Sequence, residues 1–208
     1  MGPESFTESV YDDARSPEGP SVRSPVRHVR GVLFADYIRM IRSQKDVPWR
    51  DALHPEDLPY LEEAIDAARW YPMESFERLG NAILKQNAGG SIEAVRMWGR
   101  FSADPLAEAT PMLVAPKDPV ETLSRFRILR STYFDFDTLD IPLLIDGQAR
   151  VEIRYHMGAI AEEAAANQTM GFFERLLELA GATAVTAVFT AKAWEGAPSS
   201  VLELTWTS

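Results

Sequence analysis

The stretch from Met170 to Trp206 constrains the fold more than any other part of the chain. Its first part repeats apolar residues at helical spacing and ends at Gly181, a residue type that favours the left-handed conformation at a helix C-terminus. Two segments of alternating apolar residues follow, separated by the turn Gly196-Ala197-Pro198. The pattern predicts a helix, a glycine stop and a β-hairpin. Its apolar positions are Phe172, Phe173, Leu176, Leu177 and Ala180, then Val185, Ala187, Phe189, Leu202, Leu204 and Trp206.

The half of the chain before residue 130 has the apolar periodicity of helices. Prolines suited to a first helical turn and N-cap residues predict where these helices begin: at Gly31, near Pro55 or Pro59, at Pro72, after Ser91 and after Asp118. The dipeptide Asp104-Pro105 is interpreted in the same way as Asp118-Pro119, as a cap followed by proline. The inward stripes are Phe34, Tyr37, Ile38, Ile41; Leu58, Leu61, Ile65, Ala68; Met73, Phe76, Gly80, Ile83; Val95, Trp98, Phe101; and Val120, Leu123, Phe126.

Between Tyr133 and Tyr155 the pattern changes to that of strands, with Asp146-Gly147 as a hairpin turn. A helical half followed by antiparallel strands indicates an α+β fold. We therefore predict a single domain over 29–208, in which the helical N-terminal half packs on an antiparallel sheet with a C-terminal helix and hairpin. Residues 1–28 are rich in proline and serine and predict a disordered tail, which is a candidate segment for ordering on a protein partner.

Composition excludes several classes of function. The net charge of −10 argues against nucleic-acid binding, which needs clustered Lys and Arg. The chain has no cysteine, so disulfides, thiolate metal sites and a cysteine nucleophile are excluded. No segment approaches the roughly 20 apolar residues of a membrane span, and the N-terminus lacks the apolar core of a signal peptide. The expectation is a cytoplasmic protein with no nucleic-acid, membrane or metal partner and no cofactor.

Several short motifs carry a family resemblance. Tyr71-Pro72-Met73-Glu74-Ser75-Phe76, Gly89-Gly90-Ser91, Glu93-Ala94 and Trp98-Gly99-Arg100-Phe101 resemble a large uncharacterised paralogous family found mostly in myxobacteria, as does the opening Arg30-Gly31-Val32-Leu33-Phe34. The C-terminal unit resembles that of four-vinyl-reductase-type sensor domains, which share a fold with heme–nitric-oxide-binding domains and Golgi-transport subunits. The resemblance spans about 29 to 207. It implies a ligand-binding or platform fold and no established activity.

The departures from these relatives concern the cofactor. Heme–nitric-oxide-binding domains use a helical histidine as the proximal iron ligand and a Tyr-x-Ser-x-Arg motif for the propionates. In this chain the helical half offers only His54, beside Pro55, and the motif is absent. Four-vinyl-reductase domains often carry cysteines in the terminal hairpin, and this chain has none. The resemblance therefore does not extend to heme or to a cysteine-ligated cofactor.

Polar clusters have both a functional and a structural interpretation. Asp135, Asp137 and Asp140 are either paired carboxylates for a cation or acid–base chemistry, or the solvated face of a strand. His156, on the polar face of its strand, is either a ligand contact or part of a surface pair. Gly89-Gly90-Ser91 lacks the rest of a phosphate-binding motif, and a helix C-cap followed by an N-cap explains it.

The aromatic residues form the best candidate ligand site. Apolar pockets with few polar groups hold small ligands, and Arg96 and Arg100 flank Trp98 where they are suited to meet an anionic group. Plain core packing is the alternative. The predicted ligand-binding residues are Trp70, Tyr71, Phe76, Arg96, Trp98, Arg100, Phe101, Tyr133, His156 and Trp194.

Two functions from different classes remain open. The first is a non-catalytic sensory or regulatory domain that binds a small apolar or amphipathic ligand. The alternative is a protein–protein adaptor, a homodimeric platform without a small ligand. An enzyme would need Asp135 and Asp137 to converge with Arg or His in a cleft. A homodimer is expected because the chain is rich in large aromatic residues, and the helical face around Phe34, Tyr37 and Ile41 is the predicted patch.

Overall fold

The structure is a computed structural model that describes residues 26–86 and 89–208. In chain order the elements are β1 (His28–Arg30), α1 (Gly31–Ser43), α2 (Trp49–Ala52), a 3₁₀ helix (Pro55–Leu61), β2 (Trp70–Pro72), α3 (Met73–Gln86), α4 (Ile92–Ala109), α5 (Pro119–Leu129), a 3₁₀ turn (Arg130–Thr132), β3 (Leu139–Ile145), β4 (Gln148–Ile153), α6 (Ala159–Leu179), β5 (Thr183–Ala191), a 3₁₀ turn (Ala193–Glu195) and β6 (Ser200–Thr207). The predicted α+β single domain is confirmed.

The strands form two antiparallel sheets. β1 pairs with β2, and the larger sheet has the order β3-β4-β6-β5. Asp146-Gly147 makes the predicted turn between β3 and β4, with Gly147 in the left-handed conformation that this turn requires. In the predicted C-terminal hairpin, alternate residues of β6 (Leu202, Leu204 and Trp206) are buried. Central residues of β4 pair with them, so one face of the sheet enters the core.

The C-terminal helix begins earlier than the predicted start at Met170. α6 runs from Ala159 to Leu179, and its buried side chains include Phe173, Leu176 and Leu177. Ala180 caps its C-terminus, and Gly181 follows with φ 94°, the left-handed conformation that the glycine stop requires. Asp118 caps α5 by accepting a hydrogen bond from the backbone N–H of Glu121, and Ser91 caps α4 through the N–H of Ala94. The predicted caps at these two helices are correct.

α4 and α6 approach until their backbones touch at two glycines. A Cβ atom on Gly99 would overlap the carbonyl oxygen of Gln168, and one on Gly171 would overlap that of Arg96. Small residues at a helix crossing permit a short interaxial distance. The sequence analysis assigned Gly99 only to a family motif, whereas the structure shows that it sets the position of α4 on α6.

Three local predictions are wrong. Asp104-Pro105 does not begin a helix, because α4 continues through Pro105, and the Asp104 carboxylate pairs with Arg175 of α6 at 2.8 Å. The stripe from Leu58 to Ala68 forms a 3₁₀ helix and a loop, held by the buried Asp57, which accepts two 2.7 Å hydrogen bonds from Arg78. Residues 133–136 form no strand of the larger sheet and lie along β1 instead.

The predicted dimer patch is also wrong. Phe34 and Ile41 have no exposed surface, and Tyr37 is buried, so this face of α1 belongs to the core. A helix that directly follows a disordered tail tends to lie at the outside of a domain, which was the ground for choosing α1. In the structure β1 precedes α1, and its pairing with β2 fixes α1 against α3.

The predicted tail over 1–28 falls outside the described residues as far as position 25. Its last residues belong to the domain. Arg27 donates hydrogen bonds to the carbonyl oxygens of Tyr155 and His156, and His28 begins β1. Within the described ranges, no helix combines the length and the apolar character needed to cross a bilayer.

The contact between α4 and α6 predicts the effect of adding one methyl group. Gly99→Ala or Gly171→Ala should lower the free energy of unfolding by about 3 kcal/mol, because overpacking against backbone atoms cannot be relieved by rotating a side chain. Urea denaturation of each variant measures this loss.

Gly80→Ala in α3 is the matched control. Its added Cβ would lie 3.1 Å from a ring carbon of Tyr37, a far milder contact than the backbone overlaps at Gly99 and Gly171, and alanine is the better helix former. We expect it to cost less than about 1 kcal/mol. Equal losses of unfolding free energy in all three variants would show that the close backbone contact of α4 and α6 is no more sensitive to an added methyl group than the contact at Gly80.

Candidate ligand cavity

A cavity of about 110 Å³ lies where the helical half meets the rest of the domain. α1, α3, α4, α5 and α6 all contribute to it, together with the segment 130–139 that leads into β3. Its lining consists of Leu33, Asp36, Tyr37, Met73, Phe76, Ser102, Leu106, Phe126, Arg130, Tyr133, Phe134, Thr138, Leu139, Tyr155, Ala165, Gln168, Thr169 and Phe172. Most of these groups are apolar, which is typical of small-molecule sites.

The spacing of the lining residues on α1 and α6 explains how one cavity is assembled. Leu33, Asp36 and Tyr37 share one face of α1 at i, i+3 and i+4. Four residues of α6, from Ala165 to Phe172, share a face in the same way. The two faces are opposed, and aromatic rings fill the sides: Tyr37 and Phe76 stack with centroids 4.0 Å apart, and Phe126 lies 5.4 Å from Phe172.

Two buried phenols of the lining are hydrogen-bonded to α6. The hydroxyl of Tyr37 donates to Oε1 of Gln168 at 2.8 Å, and the hydroxyl of Tyr155 lies 2.7 Å from Oγ1 of Thr169. Burial raises the pKa of Tyr37 far above its ordinary value, and it raises the pKa of Tyr155 to about 12. Both phenols therefore stay neutral near pH 7.

The two charged side chains of the lining lie where the cavity reaches solvent. Asp36 is 25% exposed, and its Oδ1 accepts a 2.7 Å hydrogen bond from Arg39. Burial raises the pKa of the Asp36 carboxyl, and the neighbouring guanidinium of Arg39 partly opposes that effect. Arg130 donates to the carbonyl oxygens of Arg127 and Leu139, so backbone acceptors already hold its guanidinium.

Only two of the predicted ligand-binding residues line this cavity. Phe76 and Tyr133 do so, and burial raises the pKa of Tyr133 as well. Trp98 packs against Tyr37 at 4.7 Å and lines a smaller neighbouring cavity of about 30 Å³. Tyr71 of β2 is buried in the core, where its ring stacks on that of Phe34 with centroids 4.5 Å apart.

The remaining predicted aromatic residues and the histidine lie elsewhere. Phe101 was predicted to face the core, yet it is 67% exposed on the outer face of α4. Trp70 is also exposed, beneath the guanidinium of Arg30 at 4.3 Å. Trp194 packs edge-on against Phe189 on the terminal hairpin. His156 is not on a strand, because β4 ends at Ile153 and His156 turns the loop with φ 55°.

Arg96 and Arg100 do not point into the cavity. Both donate to Glu174, whose side chain is buried on α6, and Arg100 also pairs with Glu178 at 2.7 Å. These hydrogen bonds raise the pKa of both guanidinium groups. The arginines therefore neutralise a buried carboxylate between the helices, and an anion at the cavity would have to compete with it.

Asp135 and Asp137 border an open depression of about 370 Å³ together with Arg130, but each of the two carboxylates pairs with a different side chain. Asp135 accepts hydrogen bonds from the backbone N–H of His28 and pairs with its ring at 2.6 Å. Asp137 lies 3.6 Å from Arg154, and Asp140 lies 3.7 Å from Arg130. These are separate partly exposed contacts. Among the described residues, no group of three or more His, Cys, Asp or Glu side chains has an arrangement suited to a metal ion.

Most of the lining residues carry no functional signal in the sequence pattern. Tyr37 was assigned to a dimer surface, and Gln168 and Asp36 were not singled out. One signal was available: Asp36 interrupts the apolar stripe of α1 at the position between Leu33 and Tyr37 that shares their face. A charge at an inward position calls for an explanation, since a buried charge needs a partner.

Solved H-NOX (heme nitric oxide/oxygen-binding) structures share this fold. A protein from K. algicida in the Fe(II) unliganded state has a TM-score of 0.61 at 11% identity, over 86% of this chain and 97% of that chain. One from S. oneidensis in the Fe(II)NO state has a TM-score of 0.60 at 12% identity, over 86% and 99%. A point mutant of the T. tengcongensis protein has a TM-score of 0.57 at 12% identity, over 86% and 98%.

No family model matches the sequence, and no curated protein is similar to it. At such low identity the structural similarity establishes the fold and does not carry the iron chemistry of those proteins to this chain. Whether this chain can hold a heme has to be judged from its own residues.

The lining does not fit a heme. Heme iron in proteins is held by axial donors such as histidine, thiolate, methionine or tyrosinate. The lining contains neither His nor Cys, and its phenols Tyr37, Tyr133 and Tyr155 keep their protons. Met73 is the one thioether of the lining, and methionine ligates heme in partnership with a histidine, which the lining lacks. A closed cavity of about 150 Å³ holds one benzene molecule, so this cavity of about 110 Å³ accepts a single ring only if part of the ligand extends through its opening to solvent, and a porphyrin is far larger.

The raised pKa values of the buried phenols predict a loss of stability in alkali. A phenol whose folded-state pKa lies above its unfolded value of about 10 contributes stability below that pH, and the stability is lost as the pH rises through the folded-state value. We expect Tyr37 and Tyr155 to ionise only as the protein unfolds. A spectrophotometric titration of phenolate absorbance, with circular dichroism on the same samples, measures both events.

Tyr155→Phe is the control for this titration. It should remove one late-ionising group and leave the early group of phenols unchanged. If all the phenols of the folded wild type titrated together near pH 10, these two side chains would be accessible to solvent.

Proposed function

We propose that this chain is a non-catalytic sensory or regulatory domain that binds a small apolar or amphipathic molecule in the cavity around Tyr37. The observation that carries the proposal is the cavity itself, an apolar space lined by seven aromatic rings at the junction of the helical half and the C-terminal half. Related folds that bind ligands support it, and the ligand proposed here is smaller than a heme.

The position of the cavity supports a regulatory role. Residues of α1 and α3 line one side, and residues of α6 line the other. The Tyr37–Gln168 hydrogen bond spans the two sides. A ligand that contacts both sides would favour arrangements in which the two sides lie at the bound separation, and such differential binding is what couples a ligand to a conformational equilibrium.

Cavity filling tests this proposal. Benzene should raise the melting temperature of the wild type, since a ligand that binds only the folded state stabilises it. Ala165→Leu places a larger side chain in the lining and should abolish the benzene-induced shift. Ala109→Leu makes the same change at the exposed end of α4 and should leave the shift intact. Stabilisation that survives in Ala165→Leu, or a wild type that shows none, contradicts ligand binding at this cavity.

The edge strand β5 favours the second function, a homodimeric platform. Its nine residues, Thr183–Ala191, carry no charged side chain, and Val188 is 59% exposed. In the described part of the chain, β5 pairs with β6 on one side and with no strand on the other. Proteins usually protect such an edge with charges or proline, although register shifts near both ends of β5 confine the regular run to Thr186–Phe189.

A second copy of this chain is the occupant that the edge fits. Antiparallel self-pairing about Ala187 would place Val185 opposite Phe189 of the other copy, on the same face of the joined sheet. Such aromatic–β-branched pairs stabilise sheets, and no like charges would meet across the two-fold axis. The interface proposed here replaces the buried face of α1.

Light scattering over a wide concentration range measures the assembly. We expect a dimer whose mass falls to that of one chain in Val188→Lys, because a charge on the edge opposes strand pairing. Ile128→Lys changes another exposed apolar residue, on α5, and should leave the dimer intact. A wild type that remains a monomer removes the platform proposal, and a dimer that persists in Val188→Lys places the interface elsewhere.

A further inference from the structure

The polar groups of the cavity differ in how many of their hydrogen-bonding atoms already have a protein partner. The hydroxyls of Tyr37 and Tyr155 are bonded to α6, and the guanidinium of Arg130 donates to two backbone carbonyl oxygens. Asp36 is the one carboxylate of the lining. Its Oδ1 accepts from Arg39, and among the described residues no hydrogen bond reaches its Oδ2.

Arg39, the partner of Asp36, competes only weakly with a cationic ligand for the Asp36 carboxylate. The Arg39 side chain is 70% exposed and lies three residues further along the same helix. Exposed ion pairs of this kind contribute little, because solvent screens them and both side chains lose freedom. A cation that enters the cavity can therefore share or replace this contact at small cost.

The cavity walls add a second attraction for a cation. Tyr37, Phe76, Tyr133 and Phe134 line the same cavity as Asp36, and aromatic faces attract positive charge. An anion would instead meet the Asp36 carboxylate and would lose its hydration in an apolar space. The guanidinium of Arg130 does not compensate the lost hydration of the anion, because it already donates to two backbone carbonyl oxygens and lies 3.7 Å from Asp140.

We propose that the cavity selects small molecules with an ammonium group on an apolar body, and that the Asp36 carboxylate anchors the ammonium. The proposal rests on the proposed function, since it names the ligand class of the same cavity. The apolar body lies among the rings, and the charged head stays at the solvent-exposed rim where Asp36 lies.

Three probes with one ring and different heads test the selection: benzylamine, benzyl alcohol and benzoate. Dissociation constants come from the shift of thermal unfolding with probe concentration. The wild type should bind benzylamine about tenfold more tightly than benzyl alcohol, because a hydrogen bond to a charged group outweighs a neutral one. Benzoate should bind more weakly than the alcohol.

Asp36→Asn should bring the amine to within about twofold of the alcohol and leave the alcohol unchanged. Glu195→Gln is the matched control, because it removes one exposed carboxylate on the terminal hairpin, paired with Lys192, and alters the net charge equally. It should retain the preference for the amine. Arg39→Gln frees Asp36 without changing the lining and should strengthen amine binding, which keeps the test decisive if Asp36→Asn fails to fold.

The outcomes separate the two proposals. If the alcohol binds and the amine shows no advantage, or if Asp36→Asn keeps the advantage, the selection for ammonium is wrong while the cavity remains a binding site. Benzoate as the tightest probe also overturns it. If neither benzene nor any of the three probes binds the wild type, the proposed function itself fails.

Discussion

The contact on which the rest of the structure depends is the crossing of α4 and α6 at Gly99 and Gly171. The two backbones touch there, so no larger residue fits at either position. Beside this contact, the buried carboxylate of Glu174 is neutralised by Arg96 and Arg100, and the pair of helices is therefore held by packing and charge together. Ser102 follows Gly99 on α4 and Gln168 precedes Gly171 on α6, and both line the cavity as a consequence of this crossing.

The first described residues, from Arg27 to Arg30, connect the parts of the domain that lie away from the crossing of α4 and α6. Arg27 binds the backbone at Tyr155, and His28 and Arg30 hold the segment that carries Tyr133 and Phe134. β1 thereby joins the helical half to the strands that precede α6. The cavity belongs to neither half alone, which is why a ligand bound there would be sensitive to their relative position.

The comparison with H-NOX structures separates fold from chemistry. The architecture is shared over most of the chain, while the lining offers buried neutral phenols, an amide and one carboxylate instead of a nitrogen donor for iron. Function resides in such sites and not in the fold that carries them. The small organic ligand that we propose is therefore inferred from the side chains of this cavity and not from the ligand of a structurally similar domain.

The sequence by itself determined most of the element types and several of their ends, because these depend on neighbouring residues: the spacing of Phe173 and Leu177, the cap at Asp118 and the stop at Gly181. It did not determine which faces meet. Phe101 and Phe76 have the same apolar character, yet one faces solvent and the other the cavity, since burial depends on residues distant in sequence. The roles of Asp104, Arg100 and Tyr37 were decided by their partners on α6, 71, 74 and 131 positions away, and only the tertiary structure brings such partners together.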